Sequence, residues 1–246
     1  MDKHSLATNE IFLPFIDVAE VDTNNNPLHV TYIAEKDFIP AASITFLSSP
    51  LMEESNYMLK RFMDVLISSI CILTVFSWLF PIIAILIKLD SKGPVFFLQK
   101  RNKKDGKLFN CIKFRSMILN READTLATFE NDPRITPFGF FLRKYHLDEL
   151  PQLLNVFKGD MSIIGPRPHM VSENIRYSTY LRNYNCRHQV KPGITGLAQA
   201  AGYYGAVEKP HQINGRLKLD IIYIQQWSIA LDIKILFRTI RMLCSK

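Results

Sequence analysis

Cysteine is sparse in this 246-residue chain, and Cys71, Cys111, Cys186 and Cys244 stand far apart with no C-x-x-C pair. That pattern argues against a disulfide framework or a zinc site and for a reducing compartment. No internal repeat is visible. The polar, mixed-charge stretch from Met1 to Glu10 lacks the pattern of a cleavable signal peptide. A second long apolar run is also missing, so a polytopic membrane protein is not expected. Apolar residues nevertheless make up 48% of the chain, which excludes a mostly disordered protein. Thirty Lys and Arg against 23 Asp and Glu give a net charge of +7, which favours an anionic partner: nucleic acid, anionic lipid or a phosphorylated substrate.

The one long apolar run is Val65 to Ile87, 23 residues without a charge. A helix of that length reaches roughly 35 Å, enough for a hydrocarbon core of ~30 Å. Lys60 and Arg61 precede it, while Lys88, Lys92, Lys100, Arg101, Lys103 and Lys104 follow. Charge at both ends predicts that both ends face the cytoplasm. Pro81 lacks the N–H that a helix interior needs, which predicts a hairpin-like helix that bends near Phe80-Pro81 and returns to the same face. A kinked full crossing stays open, because membrane helices tolerate proline. Residues before about Ser55 offer a turn at Asn24-Asn25-Asn26-Pro27 and short apolar runs such as Ile44 to Leu47 that read as strands.

Gly93-Pro94 closes the apolar segment. Val95 to Leu98 and Leu108 to Phe114 then read as strands joined through Asn102-Lys103-Lys104-Asp105-Gly106, a hairpin, which ends on the cations Lys113 and Arg115. From Arg134 to Lys144, Phe138, Phe140, Phe141 and Leu142 mix with Arg134, Arg143 and Lys144. Such a helix suits the lipid headgroup region or ordinary packing into the domain. The glycines of Val190-Lys191-Pro192-Gly193-Ile194-Thr195-Gly196 allow close backbone approach to a ligand. Ile229, Ile233, Leu236, Ile240 and Leu243 form a helical stripe for the core or a membrane surface.

Between Arg143 and Pro168 the chemistry concentrates. Leu147-Asp148-Glu149-Leu150-Pro151 sets two adjacent carboxylates before a proline and a helix-forming run. Arg143 and Lys144 come before, and Gly165-Pro166-Arg167-Pro168 comes after. Carboxylates beside fixed cations point to phosphoryl chemistry, where helix N-termini also favour phosphate. On these residues alone the alternative stands that Asp148 caps a helix and Glu149 is solvated.

Taken in order, the motifs resemble the bacterial sugar transferases, the monotopic polyprenyl-phosphate phosphoglycosyl transferases that begin surface-polysaccharide assembly. The matching pieces are Lys60-Arg61, Gly93-Pro94-Val95-Phe96-Phe97, Lys113-Phe114-Arg115-Ser116-Met117, and Leu147 to Val156. Gly159-Asp160-Met161-Ser162-Ile163-Ile164-Gly165-Pro166-Arg167-Pro168, Val190 to Gln199, and Asp220 with Tyr223 ahead of Trp227-Ser228 complete them. The resemblance covers about residues 58 to 243.

The resemblance implies a mainly helical α+β fold: an extension of unknown role (1–55), a proline-broken re-entrant helix (56–92) and a small cytoplasmic catalytic domain with a β-hairpin and amphipathic surface helices (93–246). It implies a phosphoglycosyl transferase, an undecaprenyl-phosphate sugar phosphotransferase, attached to one leaflet at the cytoplasmic face of a bacterial inner membrane, with a homo-oligomer left open. Its substrates would be a nucleotide-diphospho-sugar (a UDP-sugar) and polyprenyl phosphate, with Mg2+ required. Asp148 would attack the sugar-side phosphate, UMP would leave, and polyprenyl phosphate would take the phosphosugar from the enzyme. Glu149 is the expected magnesium ligand. Lys113, Arg143 and Arg167 match positions near the phosphates, and Arg115 joins them as a candidate substrate ligand. Arg115, His146 and Asp160 are each also open to supporting the fold. Lys60, Arg61 and Pro81 would set the membrane helix.

This chain has Phe80-Pro81 where the family often has Ser-Pro, and Ala200-Ala201-Gly202-Tyr203-Tyr204-Gly205 where many members read Val-Asn-Gly-Arg. The second departure bears on which sugar is accepted. A nucleic-acid binder would interleave a basic face with stacking aromatics; here the basic residues are scattered, so no nucleic-acid partner is expected. A non-catalytic scaffold of a polysaccharide complex would show a damaged catalytic motif, and this one is whole.

Overall fold

A computed structural model describes residues 47–120, 128–129, 131–181, 183–205 and 210–244. The expected turn at Asn24-Pro27 and most of the Ile44 to Leu47 run lie outside the described residues. The dominant element is a helix from Glu54 to Asp90, the one helix among the described residues that is long and apolar enough to cross a membrane. Its parts are α1 (Glu54–Cys71), a π-helical turn (Ile72–Phe76) and α2 (Ser77–Asp90).

The expected break at Phe80-Pro81 is not there: the chain stays helical through Pro81, and the irregularity lies at Ile72–Phe76. The physical reason follows from proline's missing N–H and its clash with the carbonyl four residues back. A π-turn just upstream widens the helix and absorbs that misfit. Side chains in and just after the π-turn donate to carbonyls one turn back. Thr74 Oγ1 donates to Ile70 O (2.7 Å), Ser77 Oγ to Leu73 O (3.0 Å) and Trp78 Nε1 to Thr74 O (2.9 Å).

One stripe of this helix, with Asp64, Ser68, Phe76, Ile83 and Ile87, is buried against the rest of the protein. The opposite side exposes Phe62, Leu66, Leu73, Ile85 and Leu89. Both ends are tied down. Near the start, Lys60 pairs with Asp232 (2.6 Å), and Arg61 donates to Val156 O and Phe157 O (2.6 and 2.7 Å). At the other end Asp90 Oδ1 accepts from Phe138 N (3.4 Å).

The hairpin forms as read, with a longer first strand: β1 (Phe96–Asn102) pairs antiparallel with β2 (Leu108–Phe114), Phe96 opposite Phe114. Helix α3 (Pro137–Lys144) follows, then α4 (Gln152–Lys158), β3 (Ser162–Ile164), α5 (Val171–Tyr180), β4 (Gly193–Thr195), α6 (Leu197–Ala200), α7 (Pro210–Gln225) and α8 (Ile229–Cys244). β3 and β4 form a short parallel pair, Ser162 facing Gly193 and Ile164 facing Thr195. The main core gathers Cys111, Val156, Met161, Ile164, Ile224 and Ile235. A second one is built on Tyr177, Tyr184 and Ile213, and a third joins Ile83 and Ile87 to Phe114 and Leu142.

Most of the terminal stripe faces outward, while Leu236 packs against the main core. Ile229, Ile233, Ile240 and Leu243 are exposed, together with Phe237, and the residue that α8 buries in the core is Ile235. On α3, Leu142 packs inward while Phe140 and Phe141 are exposed. The Val190–Gly196 loop also departs from expectation: its glycines meet backbone, not ligand space. A Cβ on Gly193 would lie 2.1 Å from Gly165 N and 2.4 Å from Thr195 O. Gly193→Ala therefore cannot keep the β3–β4 pairing. The expected cost is about 3 kcal/mol, read as a lowered midpoint in chemical unfolding of detergent-solubilised protein.

Candidate active site

The carboxylate pair is presented by a single tight turn. α3 begins with Thr136, whose hydroxyl accepts from Gly139 N (3.0 Å), and Pro137 suits its first turn. A Cβ on Gly139 would lie 2.0 Å from Ser116 O, so glycine lets this helix press on the end of the β2 segment. Past Lys144, His146 takes a left-handed conformation (φ 56°) and reverses the chain. Leu147–Glu149 then form one 3-10 turn. Leu147 and Leu150 pack towards the Phe114–Leu142 cluster, which leaves Asp148 and Glu149 to face the polar site. Pro151 is the helical N-cap of α4 and no side chain caps that end. The capping alternative for Asp148 therefore fails. Asn155 fixes α4 to the hairpin, with Oδ1 accepting from Ile112 N (2.9 Å) and Nδ2 donating to Asn110 O (2.8 Å).

Glu149 is far from solvated. Lys113 Nζ lies 3.1 Å from Glu149 Oε1, and Arg167 Nη1 lies 2.9 Å from Oε2 while its Nη2 also bonds Oε1. Arg167 thus grips the carboxylate with both prongs of its fork, the strong geometry for such pairs. Burial alone would raise the Glu149 carboxyl, but Arg167 and Lys113 outweigh it and hold it well below the usual carboxylate range. Arg167 is correspondingly raised by the charge of Glu149.

Asp148 is different. The residue is 7% exposed, and no hydrogen bond reaches its carboxylate among the described residues. Burial pushes it up to about 6; Lys113, Arg143 and Arg167 pull the other way, and the adjacent Glu149 charge adds to the rise. Two neighbouring acids are therefore pushed apart, one permanently ionised and tied, the other unbonded and titrating near neutrality. Arg143 leans on this pair from α3 and donates to Ser116 Oγ (3.2 Å) and Thr128 Oγ1 (2.7 Å).

Lys113, Arg143, Asp148, Glu149 and Arg167 come together as expected. Arg115 does not. Its guanidinium donates to Pro94 O (2.6 Å), Ser91 Oγ (2.6 Å), Lys92 O (2.9 Å) and Ser91 O (2.8 Å). It is committed to the carbonyls that follow the C-terminus of α2, where a cation also meets the negative end of the helix dipole. Asp160 pairs with Lys103 (2.5 Å) and supports the hairpin turn.

Sequence reasoning missed the layer behind Arg167. Arg187 Nη2 donates to Arg167 O (2.7 Å) and Asp220 Oδ2 (2.8 Å), and Nη1 lies 2.5 Å from His169 Nδ1. Tyr184 Oη lies 2.5 Å from the same nitrogen and donates to Asn174 Oδ1 (2.7 Å), and Arg101 donates to Pro168 O. Burial first, then the Arg187 charge, hold His169 well below its ordinary value, so Nδ1 accepts from Arg187. His169, adjacent to the Gly165–Pro168 motif, was the available signal; Arg187 lies in a short 3-10 segment (Tyr184–Gln189) with no local pattern.

A metal would find two carboxylates here, and no group of three or more His, Cys, Asp and Glu able to hold one exists among the described residues. That donor set fits magnesium, which binds through one or two carboxylates plus phosphate and water. A resident all-protein cage is not built.

Residues 55–246 match the sequence profile described as bacterial sugar transferase. The chain is 44% identical over 198 residues to a UDP-glucose:undecaprenyl-phosphate glucose-1-phosphate transferase of Klebsiella pneumoniae, covering 80% of this chain and 42% of that protein. With the protein of the same name from Escherichia coli K12 the identity is 46% over 187 residues, 75% of this chain and 40% of the other. A UDP-N-acetylgalactosamine-undecaprenyl-phosphate N-acetylgalactosaminephosphotransferase of Aeromonas hydrophila is 44% identical over 185 residues, 74% and 43% of the two chains. The chain thus spans about two fifths of the length of these relatives.

The split between the two acids is measurable. Carbon-13 NMR should show Asp148 titrating near pH 6, and Glu149→Gln should move that titration down by removing a like charge and freeing two cations. Because the folded pKa is raised, the Asp148 contribution favours folding below about pH 4 and is lost as pH rises through 6. Asp148→Asn should therefore gain roughly 2–3 kcal/mol of stability at pH 8 relative to pH 3.5.

Proposed function

Since the chain belongs to the bacterial sugar transferase family, we propose that it transfers a sugar 1-phosphate from a UDP-sugar to undecaprenyl phosphate, with Asp148 as nucleophile. The single observation carrying this is the contrast at the turn: Asp148 is unbonded beside Lys113, Arg143 and Arg167, while its neighbour Glu149 is tied. Relatives named as undecaprenyl-phosphate sugar phosphotransferases support the reaction class.

In this reading an Asp148 oxygen attacks the sugar-side phosphorus. The bond to the bridging oxygen breaks and UMP leaves, taking that oxygen, so that an acyl-phosphate joins the sugar to the enzyme. An oxygen of polyprenyl phosphate then attacks the same phosphorus, the Asp148 carboxylate departs, and the lipid-linked diphospho-sugar forms. A carboxylate nucleophile divides one difficult transfer into two easier ones. Lys113, Arg143 and Arg167 stabilise the charge that spreads over the phosphoryl oxygens; loss of one such donor costs ~3 kcal/mol in comparable sites. Arg187 and Asp220 keep the Arg167 backbone in place. Magnesium, arriving with the diphosphate, would supply charge neutralisation. Glu149 would be its protein ligand.

Membrane attachment from one side belongs to the same proposal. Both ends of the Glu54–Asp90 helix are bonded to the domain that carries Asp148, and the exposed apolar faces of α3 and α8 suit the interface. Anchoring would raise the concentration of the lipid phosphate near the nucleophile. Two tests follow. Wild type with UDP-glucose or UDP-N-acetylgalactosamine, magnesium and undecaprenyl phosphate should release UMP with one donor and, without acceptor, gain the mass of one phosphosugar. Asp148→Asn should do neither, and undiminished release would remove Asp148 as nucleophile. In spheroplasts, cysteines placed at Glu54 and Lys92 in a background without other cysteines should both resist an impermeant maleimide until the membrane is opened. Labelling of one alone would establish a full crossing.

A further inference from the structure

Opposite the Asp148 end of α4 lies a second concentration of positive charge that the proposed reaction does not use. A cleft there is lined by Tyr57, Lys60, Arg61, Lys104 and Lys191, with Asp64 in its wall. These cations come from three distant parts of the chain: the first turns of α1, the turn between β1 and β2, and the segment before β4. Lys104 Nζ lies 5.2 Å and Lys191 Nζ 5.4 Å from the centroid of the Tyr57 ring. Neither lysine has a carboxylate partner among the described residues. A point where a Gly159 Cβ would lie is 3.5 Å from Arg61 Nη2 and 3.6 Å from Lys191 Nζ, so these two cations face a common space. Lys60 is offset by Asp232 (2.6 Å) and by the charge of Asp64, and Arg61 is bonded to the carbonyls of Val156 and Phe157. The cations of this cleft without a carboxylate partner among the described residues are therefore Arg61, Lys104 and Lys191.

Cations gathered on one cleft repel each other unless an anion lies between them. Donors converging from several elements suit an anion with several oxygens pointing in different directions, which is phosphate in preference to a planar carboxylate. We propose that this cleft binds a phosphate group at a site separate from the Asp148 centre. Its place beside Lys60 and Arg61, where the apolar helix begins, favours the phosphodiester of an anionic phospholipid as the source; a soluble phosphate is the other. The site does not depend on the transfer proposed at Asp148, and its test reads no catalysis.

The full chain, purified in a neutral detergent, is titrated calorimetrically with dihexanoylphosphatidylglycerol and separately with inorganic phosphate. The comparison is with K104Q/K191Q, with the single K104Q and with K104R/K191R, each checked for a wild-type circular dichroism spectrum. Lipid binding that weakens at least ~10-fold in K104Q/K191Q and persists in K104R/K191R supports the site and the lipid source, since charge-assisted contacts of this kind are worth that much. The same pattern with inorganic phosphate alone supports the site with a soluble ligand. Should the double variant misfold, weakened binding by folded K104Q supports the site in its place. Equal binding by wild type and the folded glutamine variants, or no binding of either probe by wild type, overturns the proposal.

Discussion

The knot of Lys113 and Arg167 on Glu149 is the interaction on which the site depends. It joins the end of the hairpin, the 3-10 turn between α3 and α4, and the segment leaving β3. Apart from one antiparallel bridge between Arg101 of β1 and Met170 past β3, no backbone pairing joins these pieces among the described residues. A buried carboxylate held by two cations is costly to break, because removing one partner strands charge in a poorly solvated place. The same knot explains the freedom of Asp148. With Glu149 absorbing the nearest hydrogen bonds, the cations act on Asp148 through their field and leave its oxygens open. Burial then raises the acid to about 6, a value at which it is ionised near neutral pH yet remains poorly solvated.

The long helix is integrated with this site more closely than an anchor would need to be. Its inner stripe supplies Ile83 and Ile87 to the cluster that backs Leu147 and Leu150, the flanks of the nucleophile turn. Arg115 fastens the end of α2 from just past the strand that carries Lys113. Phe76 and Phe80 stack with centroids 3.7 Å apart, and Phe80 meets the Phe114 ring edge-on at 4.6 Å. An aromatic chain thus runs from the π-turn to the root of the hairpin, so disturbance of the apolar helix reaches the reacting groups through packed rings.

Much of this was legible in the residues. The hairpin followed from strand patterning and a Gly-containing turn, and five of the six proposed site residues converge. The misreadings share a cause, which is that a local pattern does not reveal what a side chain meets across the fold. Arg115 looked like a ligand because it lies two residues from Lys113, but β2 ends at Phe114, and just past that end its guanidinium is spent on the carbonyls that follow α2. The α8 stripe had the correct period and left core and membrane surface both open; Leu236 packs against the core beside buried Ile235, and the rest of the stripe is exposed. Pro81 signalled an irregularity correctly and misplaced it by about two turns, because the helix accommodated it upstream. Arg187 and His169 gave no periodic signal, since both sit in short connecting segments and their partners are remote in sequence.

The 3-10 turn has one more consequence, for how this protein can vary. Successive residues in such a turn are rotated by about 120°, so the different duties of Asp148 and Glu149 come from position as much as from chemistry. Between left-handed His146 and Pro151 there is room for four residues and no slack. Adding or deleting one would carry the tied acid to the open side, or turn a leucine towards the phosphates. Length is therefore as constrained as composition here, and diversification among relatives would be expected to avoid insertions at this turn while accepting them in remote loops.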